Sequence, residues 1–128
     1  MTESPPAELY RAVVEHSADA IIFADLAGLI VIWNPAAERL FGFPASEAIG
    51  QSLDIIIPER LREPHWRGYH EAMKAAKTKH AGRPTLTKAL HQSGEVLYVQ
   101  MSFAVVASAE NVVQGSVAIA RLAPPKTA

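Results

Sequence analysis

The residues of this chain best suited to chemistry are its histidines, two of which fall in one short stretch, Pro64-His65-Trp66-Arg67-Gly68-Tyr69-His70-Glu71-Ala72-Met73. A neutral imidazole can ligate a metal or hydrogen-bond a ligand, and on a helix its neighbours are set by spacing. His65, Tyr69 and Met73 lie four apart and share one face, whereas His70, five from His65, is rotated by roughly 140°. The two imidazoles therefore cannot face one pocket, and Trp66 and His70 form a neighbouring stripe. With Pro64 taken as the first helical residue, His65 sits in the first turn, where the positive helix end lowers its pKa and favours the neutral form.

Other chemistries find less support. The five histidines lack the short paired spacing of a zinc site. No serine–histidine–acid set is recognisable, so no enzymatic activity is expected. Cysteine is absent, which removes disulfides, thiolate nucleophiles and cysteine metal ligands. With 49% apolar residues, 20% charged and a net charge of −1, the 128-residue chain reads as one soluble globular domain. Its basic residues alternate with acids, as in Glu59-Arg60-Leu61-Arg62-Glu63, so no nucleic-acid footprint is present. The longest apolar runs, residues 20–24 and 29–33, are too short for a bilayer, and the amino terminus lacks a signal pattern. No membrane partner and a cytoplasmic location are therefore expected.

The elements that must position these histidines follow from periodicity. Residues 1–18 read as an extension holding an amphipathic helix with Leu9, Tyr10, Val13 and Val14 on one stripe, which covers either the domain or a partner. Residues 19–122 read as the folded domain and 123–128 as a flexible tail. Two apolar runs around the turn at 25–28 predict a hairpin. Asn34 and Pro35 are an N-cap and first residue for a helix that carries Ala37, Leu40 and Phe41 inward and ends at Gly42. A short helix over 45–50 and an apolar run over 53–57 follow, then a longer helix over 64–77 whose negative end is met by Lys74, Lys77 and Lys79. From Arg83 the period changes to two, giving strands to residue 90, over 96–107 and over 112–122. The predicted class is α+β: a five-stranded antiparallel sheet with short helices and one longer helix on one face. On the long strand Tyr98 and Phe103 fall on opposite faces, so only one can look at a pocket, while Met73 and Met101 read as core filler or cavity lining.

Asp19-Ala20-Ile21-Ile22-Phe23-Ala24-Asp25, Gly28 through Glu38 (GLIVIWNPAAE), Phe41-Gly42-Phe43, Glu47-Ala48-Ile49-Gly50, Ser93-Gly94-Glu95 and Gly115-Ser116-Val117-Ala118-Ile119-Ala120-Arg121 resemble, in this order, the successive signature elements of PAS domains. The resemblance implies a pocket between sheet and long helix, and a role in sensing a small ligand, light or redox state, or in dimerisation. It departs from the family after Arg121, where Leu122-Ala123-Pro124-Pro125 stands in place of the usual Asp and Thr. Without cysteine, cysteinyl-adduct flavin photochemistry and covalent chromophore attachment are excluded; a non-covalent flavin stays open.

The cofactor is not fixed by the sequence. Haem b is the leading candidate, because Pro58-Glu59 followed six residues later by His65 and then by Tyr69 resembles the haem-PAS oxygen sensors, with His80 near a second histidine of that segment. The resemblance then implies His65 as iron ligand, Tyr69, Met73, Trp33 and Trp66 around the cofactor, and Arg83 as a loose counterpart of the distal arginine. The same His65 can instead bond the adjacent loop and hold the helix; Trp33 can pack in the core, and Asn34 can cap its helix or bond across the pocket. A homodimer through the amino-terminal helix and a separate effector protein are the expected partners, and a ligand-free interaction scaffold is the rival reading.

Overall fold

The computed structural model of the chain describes residues 3–76 and 83–124. Its first hairpin, β1 (Ala20–Asp25) with β2 (Ile30–Trp33), is closed by Asp25, whose Oδ1 accepts the N–H groups of Ala27 at 3.0 Å and Leu29 at 2.9 Å. Such an aspartate substitutes for a backbone acceptor in a tight turn. Gly28 completes the turn at φ 83°, a conformation that a side chain disfavours.

Asn34 ends β2 and begins α2 (Pro35–Phe41), its Oδ1 accepting the Ala37 N–H at 3.0 Å, with Pro35 at the first helical position and Gly42 closing the helix at φ 84°. The same Oδ1 accepts the Ile21 N–H at 2.9 Å, while Nδ2 donates to the carbonyls of Val14 and Asp19 at 2.9 and 3.1 Å. A residue readable as a helix cap is thus also the pin between β1, α2 and the amino-terminal helix α1 (Ala7–His16). After α3 (Ala45–Ala48), the apolar run folds as a 3-10 helix over Leu53–Ile56.

The long helix, α4, spans Glu59–Ala75, so Pro64 lies inside it and the expectation of a start at Pro64 is corrected. Pro58 is the N-cap instead. Leu61 N–H bonds the Pro58 carbonyl at 2.8 Å, and Arg62 Nε bonds the Ile57 carbonyl at 3.0 Å, which fixes the turn ahead of Pro64. Pro64 cannot donate to the Arg60 carbonyl, but both residues are exposed, so water can satisfy that group. Ala76 in the left-handed conformation caps the far end; Lys77, Lys79 and His80 lie outside the described residues.

β3 (Thr85–Leu90), β4 (Val96–Ala107) and β5 (Val113–Leu122) complete a sheet of order β2-β1-β5-β4-β3 in which every neighbouring pair is antiparallel. The α+β expectation therefore holds. The inner face carries Ile22, Ala24, Ser116, Ala118, Met101 and Phe103, with Ala24 paired to Ser116, Ile22 to Ala118 and Phe103 to Ala118. No helix among the described residues is long and apolar enough to cross a membrane.

Asn34→Ala removes one cap bond and three long-range ones at a buried site, so it should cost about 2–4 kcal/mol of unfolding free energy in a urea titration. A loss confined to the few tenths typical of a surface change contradicts the pinning role.

Candidate functional site

The small side chains on the inner face of the central strands leave room that the helices do not fill. A cavity of about 330 Å³ lies between this floor and α4, walled by Ile22, Ile56, Leu61, His65, Met101 and Phe103. The small side chains Ala24, Ala89, Ala118 and Ser116 also line it. Phe103, in contact with Tyr69 at a ring distance of 5.9 Å, is the long-strand aromatic that looks inward; Tyr98 is exposed on the other face. A wider groove between α1 and α2 is lined by the charged Glu8, Arg11, Glu15 and Arg39 and is a surface furrow.

Two aromatic residues of α4 hold it above the cavity. Tyr69 is buried, and its hydroxyl donates to the Asp25 carbonyl at 2.7 Å and accepts from Ser116 Oγ at 3.2 Å. Burial raises its pKa, so this phenol stays protonated. Trp66 donates from Nε1 to Asp54 Oδ1 at 2.7 Å, and its ring lies on Gly28 so closely that a Cβ there would collide with it. The β1–β2 turn, the 3-10 helix and α4 are therefore clamped at one place. Arg62, bonded to the Ile57 and Asp54 carbonyls, ties the start of α4 to the same 3-10 helix.

His65 stands one turn before Tyr69 in the cavity wall, edge-on to Trp66 at 4.7 Å and tilted against Tyr69 at 5.8 Å. Its Nδ1 is buried without a hydrogen-bond partner among the described residues. Burial, chiefly, lowers its pKa; the Asp54 carboxylate opposes this and His70 adds to it. The expected direction holds, but its cause is corrected: His65 is beyond the first turn of α4, so desolvation and not the helix end depresses the pKa.

The remaining expected residues separate in space. Met73 packs against the core one turn beyond Tyr69, outside the cavity wall, and Trp66 covers the back of His65. Trp33 is buried against Phe41 and Phe43 and donates to the Phe43 carbonyl at 2.9 Å, so it is a core residue away from the cavity. Arg83 is exposed ahead of β3 and does not line the cavity. Ser116 and Thr87, which sequence reasoning did not select, are in the wall; Ser116 had a visible signal as a hydroxyl at an inward position among alanines. No group of three or more potential metal ligands clusters among the described residues.

Comparison with known proteins places this site in context. The PAS fold family matches residues 8–122. The chain is 44% identical over 55 residues to the sensor protein FixL of Bradyrhizobium diazoefficiens, covering 43% of this chain and 11% of that protein. It is 35% identical over 63 residues to the oxygen sensor protein DosP of Escherichia coli, covering 40% of this chain and 8% of DosP. The chain thus spans about a tenth of the length of these relatives. The PAS domain of a Colwellia psychrerythraea protein superposes with a TM-score of 0.77 at 21% identity, covering 91% of this chain and 95% of that one.

Because the folded-state pKa of His65 lies below 6.5, the unfolded chain binds the proton more readily. The stability associated with its neutral form is complete above 6.5 and is lost as pH falls through the folded pKa. The stability difference between wild type and His65→Leu, measured by urea unfolding, should therefore shift against wild type between about pH 7.5 and pH 5. Parallel curves contradict the burial of this imidazole, since the other histidines are common to both proteins.

Proposed function

The chain belongs to the PAS family, and on that premise we propose that it is a sensory domain which takes a compact, mainly apolar ligand between sheet and α4 and passes its presence to a partner. The observation that carries this reading is the cavity itself, whose volume of about 330 Å³ falls at the lower end of the roughly 300–1,000 Å³ of small-molecule sites and whose wall holds one unpartnered imidazole. The sensor roles printed for FixL and DosP agree with it. Transmission runs through β1: Ile22 and Ala24 touch the ligand space, Asp25 receives Tyr69, and Ile21 is tied by Asn34 to the Val14 carbonyl of α1.

Haem b suits part of this site. His65 supplies a neutral imidazole in an apolar wall. A metal-ligating histidine, however, normally donates its second ring N–H to an acceptor, and Nδ1 of His65 has none among the described residues. A tetrapyrrole also needs more space than the cavity offers. Iron porphyrin therefore does not fit the site as it stands, and a smaller ligand does.

Visible absorption and thermal unfolding with a library of small neutral compounds separate these readings. At a hundredfold excess over Kd a cavity ligand adds about 2.7 kcal/mol and raises Tm by several degrees, while haemin gives no sharp Soret band. A sharp band lost in His65→Ala makes the chain a haem sensor instead; a library in which nothing raises Tm leaves an interaction scaffold.

The output face is α1, whose Leu9, Tyr10 and Val13 are 51%, 57% and 62% exposed. A second copy covering this stripe gives the homodimer, and exposed Val31 and Ile119 of the sheet offer further apolar surface. Val13→Asp should weaken the dimer at least tenfold by sedimentation equilibrium; an unchanged mass excludes α1 as the contact.

A further inference from the structure

Resting on the reading of the cavity as a ligand site, we infer that its ligand is a neutral molecule about the size of a substituted benzene ring that carries a hydrogen-bond acceptor, a carbonyl oxygen above all, for the Nε2–H of His65. Size comes first. At the roughly 30 Å³ that a water molecule occupies in the liquid, about 330 Å³ holds about eleven water-sized groups.

Charge comes next. Among the described residues no carboxylate lines the cavity, and the two nearby cations are engaged elsewhere. Lys88 contributes to the wall, but its Nζ lies over the Tyr98 ring, 5.8 Å from the centroid, and Tyr98 is on the exposed face of the sheet. The Arg62 guanidinium bonds the Ile57 and Asp54 carbonyls and stands 3.9 Å from the Asp54 carboxylate. An anionic or cationic ligand would thus be buried without a counter-charge, which costs far more than burial of a neutral polar group.

The donor is set by which ring nitrogen holds the proton. An N–H buried with no acceptor is costlier and rarer than a buried lone pair. Nδ1 is buried with no acceptor, so the proton belongs on Nε2, the other nitrogen of a ring that lines the cavity. Desolvation keeps the ring neutral and hence a single donor. Ser116 cannot compete for a ligand acceptor, because its hydroxyl hydrogen is directed to Tyr69 Oη.

Acetophenone, its isostere α-methylstyrene, in which the carbonyl oxygen is replaced by a methylene, and benzoate test this directly by NMR titration of the full chain. Acetophenone and α-methylstyrene should both perturb the amides of Ile22, Met101 and Phe103, with benzoate inert. His65→Leu should weaken acetophenone relative to α-methylstyrene by about tenfold, the loss of one hydrogen bond. In ¹⁵N-imidazole spectra of the wild type at about pH 8, His65 should show the Nε2–H tautomer, a result that needs no variant. An unaltered ratio in His65→Leu, tight benzoate binding or an Nδ1–H tautomer overturns the ligand class while leaving the cavity reading intact. If all three compounds leave those amides unmoved, the cavity reading itself fails.

Discussion

The clamp of α4 on the β1–β2 turn is the contact on which the site depends. Trp66 rests on Gly28 and bonds Asp54, and Tyr69 one turn on bonds the Asp25 carbonyl and Ser116. Both aromatic groups are too large to let the helix sink onto a floor made of Ala24, Ala89 and Ala118. The gap between them is the cavity. Were it sealed and dry, a void of this volume would cost on the order of 8 kcal/mol at about 24 cal/mol per Å³. That is comparable with the whole stability of an ordinary domain, about 5–15 kcal/mol. A fold that keeps such a space open is stabilised by whatever fills it, which ties occupancy to stability and gives a ligand purchase on the conformation.

The same strand that floors the cavity is also linked to α1 through Asn34. β1 presents Ile22 and Ala24 to the ligand space, ends at the carbonyl that receives Tyr69, and is pinned near its start by Asn34 to α1 and α2. Arg121 at the end of β5 reaches back to Asp19 at 2.8 Å, so the chain leaves the sheet beside the point where it enters. On the proposed signalling route, a shift of α4 that loosens the Tyr69 bonds would act on β1 at one end, where α1 is linked to it at the other. In the proposed dimer, the exposed apolar stripe of α1 is where a second copy would read that change.

Much of this was legible in the residues. The hairpin turn at Asp25–Gly28, the start of α2 at Asn34–Pro35, the opposite phases of Phe103 and Tyr98, and the shared face of His65 and Tyr69 all follow from local periodicity and turn chemistry. The start of α4 was not, because Pro58 and Pro64 are equally good local starts and the choice was made by Leu61 and Arg62 contacting the preceding segment. Spacing left Trp33 either in the core or at the cofactor, and its core position is set by its contact with Phe43; the exposed place of Arg83 ahead of β3 is likewise set by chain path and not by spacing. The alternating alanines of β1 and β5 carried the signal for a cavity, but only the pairing of those strands makes them one floor.

A crystal of the protein pressurised with xenon tests most directly whether the clamp keeps an open apolar space, since xenon enters dry or weakly hydrated cavities regardless of the natural ligand. A xenon site bounded by Ile22, Leu61, Met101 and Phe103, with α4 unmoved, is the expected result. Side chains filling that space, with no xenon between sheet and α4, contradict it and leave a packed interaction domain.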